Sequence, residues 1–345
     1  MTVASGGSSA PAPAPKRFRI PTAVQHLLKF MLGGAAIWAL IHSGALEPDK
    51  VVKALRMHPG ILAIAFASYL GLVISLAWAR WFLLIRLAGL RPRPGRVFSL
   101  HMIGLFFNSL IPGGTGGDLI KGYYLFQEHD DKDRALALTT IAMDRFVGLY
   151  ALLCVAMAMT AVNVNLWKSD AALRANSIFY ACVFAAFTAG VAFFFSPWSG
   201  PFLEHPRMAK LPGGRFFKSL AASLLVYRKR PYALLLPLSL GIVVDCGLIL
   251  LYWFSALSLD LDLPLRVHGF VVPTLTMING IPLFPSGLGL GEAAGKVIYG
   301  KLGINLGGGE ILVLVHLIII ITSLAGAPFY FLYRVKHPGK PGKPS

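Results

Sequence analysis

Charge is scarce in this sequence, and acid is the scarcer sign: 15 Asp and Glu stand against 32 Lys and Arg, for a net charge of +17. Only 14% of the 345 residues are charged, about half the share of a soluble domain, which excludes a water-soluble globular protein of this length. Cysteine is nearly absent. Cys154, Cys182 and Cys246 lie inside apolar runs with no CxxC spacing, so a disulfide framework and a thiolate metal site are both excluded. They read as buried small apolar side chains. No Walker A motif occurs, and hence no sign of ATP coupling; the glycines around Gly287 and Gly289 sit in an apolar segment without a βαβ context. Zinc-finger and RNA-recognition signatures are missing too, so the basic excess does not point to nucleic acid. No cofactor and no metal is expected.

What the sequence has instead is long apolar runs: 56% of residues are apolar and the mean hydropathy is +0.66. Ile61–Ala79 and Ser177–Phe195 contain no charge, Ile311–Leu332 holds a single His316, and Leu27–Leu46 follows one Lys29. Ala135–Val162 and Tyr232–Leu259 are longer and carry a few charges that must face protein. About 20 helical residues cover the ~30 Å hydrocarbon core, so six spans are expected. Lys and Arg fall between the runs. With the N-terminus inside, cytoplasmic segments (among them Arg80–Arg96 and Pro197–Pro231) hold 22 of them and outer segments 7. That bias predicts both termini on the cytoplasmic side of a bacterial inner membrane. Residues 1–19 read as a disordered basic tail and 336–345 as a second basic tail. The first run is long enough to stay as an anchor rather than be cleaved. Within the large loop, Phe217, Leu220 and Leu224 recur at helical spacing, which suits either a surface-lying helix or a plain loop helix.

Two interrupted segments break the pattern. Val97–Ile111 is apolar but only 15 residues, followed by Pro112-Gly113-Gly114-Thr115-Gly116-Gly117 and a polar restart at Asp118 and Lys121. Phe270–Phe284 repeats this grammar, with Pro285-Ser286-Gly287-Leu288-Gly289-Leu290-Gly291 as the break and Glu292 and Lys296 as the restart. Pro112 superposes on Pro285, Gly114 on Gly287 and Gly116 on Gly289; Asn108 and Asn279, four and six residues before the break, are out of register. A short limb, a Gly/Pro break and a polar restart read as a re-entrant hairpin, although eight full crossings would leave every loop in place. The chain then divides into residues 20–176 and 177–335, each with three crossings. An odd number inverts the second repeat relative to the first, so the hairpin tips would meet near the midplane.

Four acids fall within membrane-associated segments: Asp118, Asp144, Asp245 and Glu292. Each costs about 2.5–3.5 kcal/mol at a helix centre unless compensated. Asp118 with Lys121 and Glu292 with Lys296 have the spacing to pair along one helix. Asp144 and Arg145 point about 100° apart and are expected to pair across helices. Such ions either neutralise one another or line a polar cavity. The free N–H groups after Gly117 and Gly291 suit phosphate, in competition with capping by Asp118 and Glu292. His101, His268 and His316 show no ligand spacing and read as structural.

Asn108–Asp118, Met143-Asp144-Arg145-Phe146 and Phe284–Glu292 together resemble the lysylphosphatidylglycerol synthase transmembrane-region family, also called the UPF0104 membrane proteins, over residues 20–335. The resemblance implies a flippase-like membrane region, with Asp118, Asp144, Arg145 and Glu292 at the family's polar motif positions. Full-length synthases carry a cytosolic aminoacyl-transfer domain. None is expected after the last span here, so synthase activity is not expected, and no catalytic constellation points to another enzyme. The resemblance therefore implies a transporter of a phospholipid or isoprenoid-linked lipid with an anionic or phosphate headgroup. The alternatives are a membrane-embedded lipid-modifying enzyme and a scaffold for a soluble partner. The expected headgroup site draws on Asn108, Gly114, Gly116, Gly117, Asp118, Lys121, Asp144, Arg145, Asp245, Asn279, Gly287, Gly289, Gly291, Glu292 and Lys296. Oligomeric state is not legible.

Overall fold

A computed structural model describes residues 56, 58–110, 116–168, 170–199, 224–280, 290–303 and 308–333. The expected first span Leu27–Leu46 and the greater part of both Gly/Pro breaks, with Gly114, Gly287 and Gly289, lie outside these residues. Among the described residues all regular structure is helical, as the apolar runs require.

Helix α1, Pro59–Leu87, opens at a proline whose fixed φ suits the first helical position. A π-helical turn, Tyr69–Ile74, interrupts it, and Ser75 Oγ donates to the Leu70 carbonyl there (2.8 Å). Its end corrects the expected one at Ala79. The helix runs through Arg80 and Arg86 to Leu87 because residues 81–87, WFLLIRL, are apolar apart from Arg86 and hold no helix breaker. It stops where Gly89 adopts φ +91° and the Gly89 and Leu90 N–H groups fold back onto the Arg86 and Ile85 carbonyls.

Helices α2 (Pro94–Leu110) and α3 (Gly116–Glu128) pack on each other as the two limbs of the first interrupted segment. Next come α4 (Asp131–Val162), the short α5 (Val164–Lys168) and α6 (Ala171–Phe195). Asp170 caps α6 by accepting from the Ala172 and Leu173 N–H groups and pairs with Lys301 at 3.1 Å. After a 3-10 turn at Pro231–Leu234 come α7 (Leu235–Leu257), α8 (Leu265–Asn279) and α9 (Leu290–Lys301). Helices α10 (Gly308–Leu324) and α11 (Ala327–Leu332) close the described chain.

Five stretches are long and apolar enough to cross a membrane: Pro59–Leu87, Asp133–Val162, Ala171–Phe195, Pro231–Leu257 and Gly308–Leu332. They coincide with five of the six expected spans. Helices α2, α3, α8 and α9 have 17, 13, 15 and 12 described residues, fewer than the ~20 of a typical crossing.

Helix α7 is the centre, packed against α1, α4, α8 and α10, where Leu251, Tyr252, Val271, Leu275, Ile311 and Val315 are fully buried. Helix α6 is peripheral, with 6% of its span buried, and meets α4 through the stacked rings of Tyr150, Phe184 and Phe187. Two cysteines correct their expectation: Cys182 and Cys246 lie on outward helix faces, so the apolar surroundings their runs imply are lipid rather than core. Of the large loop, residues 197–199 and 224–231 are described. Residues 224–228 are helical and dock on α1, where the buried Tyr227 hydroxyl donates to the Leu84 carbonyl (3.0 Å).

Candidate functional site

Helix α4 places two opposite charges side by side, and each finds its partner on a different neighbour. Arg145 donates through Nε to Asp118, on the first turn of α3. Asp118 also takes Lys121, one turn along the same helix, at 3.2 Å. One carboxylate therefore holds two cations. Lys121 is buried, its ammonium 4.8 Å from the Trp81 ring centroid, and Trp81 in turn donates to Thr140 (3.3 Å). Arg145 is different. Its side chain is 53% exposed, beside Phe146 and close to the surface that carries Leu119 and Tyr123, both exposed.

Asp144 turns the other way and accepts from Arg80 Nε at 2.7 Å. Arg80 is the residue that sequence reasoning missed, having been counted in a cytoplasmic loop. Its side chain is 11% exposed, and its guanidinium lies in the field of both Asp144 and Asp245. Two glycines clear its place. A Cβ on Gly148 would stand 3.0 Å from Arg80 Nη1, and one on Gly241 would stand 3.4 Å from it. Gly148 lies one turn after Asp144 and Gly241 one turn before Asp245, so D-x-x-x-G on α4 and G-x-x-x-D on α7 form two walls around one cation. That mirrored spacing was visible in the sequence. Asp245 Oδ2 is buried without a hydrogen-bond partner.

Each interrupted segment sets an asparagine against a glycine of its second limb, with different bonding. The Gly117 N–H at the start of α3 donates to Asn108 Oδ1 at 2.8 Å. Gly291, in the first turn of α9, lies against Asn279: a Cβ there would stand 2.3 Å from Asn279 Oδ1, which is buried and accepts no hydrogen bond among the described residues. Asn279 Nδ2 also lies 3.4 Å from His316 Nε2. Close glycine contacts recur as well. Gly104 faces Gly117, and Gly295 faces Gly308 across α9 and α10.

Of the expected site, Asn108, Gly117, Asp118, Lys121, Asp144, Arg145 and Asp245 come together around α4, with Gly116 buried on the same first turn of α3. Asn279 and Gly291 form a second locus. Lys296 is exposed on α9. The Glu292 side chain, and with it the expected Glu292–Lys296 pair, lies outside the described residues. The three histidines are buried; His268 Nδ1 pairs with the Tyr299 hydroxyl at 2.8 Å.

Comparison with known proteins agrees with this architecture. Residues 26–326 match the family described as the lysylphosphatidylglycerol synthase TM region. Over 99 residues the chain is 30% identical to the UPF0104 membrane protein MJ1595 of Methanocaldococcus jannaschii, a stretch covering 28% of this chain and 29% of that protein. The alignment thus spans under a third of that relative. No solved structure matches. A multi-pass helical architecture and a family match over most of its length place this chain in the lysylphosphatidylglycerol synthase transmembrane-region family.

Proposed function

We propose that the protein is a lipid transporter of the inner membrane that moves lipids with anionic, phosphate-bearing headgroups between leaflets, without covalent change to them. The observation that carries this reading is Asp118 held by two cations, one of them the half-exposed Arg145. A phosphate diester offers the same oxygen geometry as the carboxylate and can share both cations. The place also fits. Asp118 opens a helix of 13 residues that is paired with another short limb and set against a spanning helix, an arrangement in which transporters hold polar substrate inside the bilayer. In this reading both interrupted segments are re-entrant and related by inversion, with Asn279 and Gly291 as counterparts of Asn108 and Gly117. The family's own description concerns a lipid whose headgroup carries a phosphate diester.

The test uses purified protein in vesicles of phosphatidylglycerol with a fluorescent phosphatidylglycerol, whose inner-leaflet pool is read by quenching from outside. Wild type is expected to move the label at least ~10-fold faster than empty vesicles. Arg145→Gln is expected to remove most of that rate, since charge-assisted contacts of this kind contribute about 1.5–3 kcal/mol. Mass spectrometry of the same lipids should find them unaltered. Rates equal to those of empty vesicles, or a new lipid product, would defeat the proposal.

A further inference from the structure

We infer that Asp245 is a proton-binding group that couples lipid movement to a transmembrane proton gradient, by competing with Asp144 for Arg80. The inference rests on the transport reading above.

Helices α1, α4 and α7 bring one cation and two carboxylates to one place. Arg80 donates to Asp144, while Asp245 stands on the opposite helix one turn from Gly241, whose Cβ position lies 3.4 Å from Arg80 Nη1. Gly148 and Gly241 leave room for that guanidinium against either wall. The nearby cations Lys121 and Arg145 are turned to Asp118. The other titratable groups around the triad are Cys154 on α4, Cys246 on α7, Tyr227 beyond Asp144, and His101, buried on α2 within the field of Arg80 and Lys121. Helices α8 and α10, also packed on α7, carry His268 and His316, which turn to Tyr299 and Asn279.

With all three ionised the triad holds one negative charge too many, and Asp245 Oδ2 is buried with no hydrogen bond to spread it. Uncompensated charge in such surroundings is costly enough that the site takes up a compensating positive charge. A proton needs only one oxygen, which the unpartnered Asp245 Oδ2 supplies. Bound, it leaves Arg80 and Asp144 as a neutral pair. Released, it makes Asp245 an equal claimant for Arg80, and movement of the guanidinium from the α4 wall toward the α7 wall changes the contact between those two spans. Packed interfaces of this kind shift between discrete arrangements, which is what alternating access requires.

Infrared difference spectra of the purified full-length protein between acidic and alkaline buffer test the proton site directly. A protonated-carboxyl C=O band is expected in wild type, lost in Asp245→Asn, shifted in Asp245→Glu, and unchanged when sodium replaces potassium. A band indifferent to both substitutions, or one removed by sodium, overturns the assignment; Asp245→Glu keeps the test decisive if Asp245→Asn does not fold. In vesicles, one proton per lipid turns a one-unit pH difference into about a tenfold bias in leaflet distribution. That bias should vanish in Asp245→Asn. Lipid that moves in wild-type vesicles without responding to the pH gradient overturns the coupling and leaves the transport reading standing. If no lipid moves in any vesicle, the transport reading falls and takes the coupling with it, even where the infrared band persists.

Discussion

Arg80→Ala is expected to destabilise the folded protein by about 3–5 kcal/mol, the usual cost of stripping one partner from a buried ion pair. The loss exceeds that of a surface ion pair because Asp144 and Asp245 would both keep their places between spanning helices with no guanidinium between them. Reversible unfolding in mixed detergent micelles measures it. Replacing all three members by apolar residues of similar volume, with Met at 80 and Leu at 144 and 245, should recover most of the stability, since a buried charge group removed whole is often neutral or better. The same triple variant should have lost every response to pH. Recovery of stability together with loss of coupling separates what Arg80 does for the fold from what it does for transport. A loss below ~1 kcal/mol for Arg80→Ala would mean that the guanidinium is solvated and the triad is not closed.

Gly117→Ala is the second large effect expected. The added methyl would stand 2.0 Å from the Gly104 carbonyl oxygen and 2.7 Å from Asn108 Oδ1. The first of these is backbone within a helix and cannot swing aside, so α2 and α3 must separate. Over-packing costs typically 1–3 kcal/mol, and a backbone clash belongs at the top of that range, about 3 kcal/mol. The reciprocal change is milder. A methyl on Gly104 meets Lys121 Cε at 2.2 Å, the far end of a flexible chain. Gly104→Ala should therefore fold, with a loss of about 1 kcal/mol. It should nevertheless slow lipid movement, because Lys121 is displaced from Asp118 and from the Trp81 ring. Equal stability losses for the two variants would contradict the close packing of the hairpin limbs.

Apolar length is a local property, and it marked five of the spans correctly from the chain alone. The Asp118–Lys121 pair was legible because i,i+3 spacing on a helix is geometry known in advance. That Asp144 and Arg145 would find separate partners followed from their 100° offset, although the partners' identities did not. Arg80 was hidden by the rule that served elsewhere. Counting Lys and Arg as loop markers assigns a cation at the edge of an apolar run to water, and only the continued apolar character of residues 81–87 argued otherwise. That Asn108 and Asn279 each lie against a glycine of a second limb was hidden for another reason. The two asparagines precede their facing glycines by 9 and 12 positions, so a residue-by-residue superposition separates side chains that each meet the opening turn of a second limb.

Taken together, α4 works as a divider. Its Arg145 side faces the hairpin and a surface open to lipid, and its Asp144 side faces the buried triad. On the transport reading, the proposed substrate charge Arg145 and the proposed coupling partner Asp144 stand one residue apart in sequence and on different faces of one helix, so a shift of α4 would register at both.

The most direct measurement is a cryo-electron microscopy map of the full chain in nanodiscs of phosphatidylglycerol. The expected result is headgroup density between Lys121 and Arg145, at the depth of Asp118 and clear of both membrane surfaces. A map in which Arg145 meets only acyl chains, with headgroups confined to the two surfaces, would contradict lipid transport through this site.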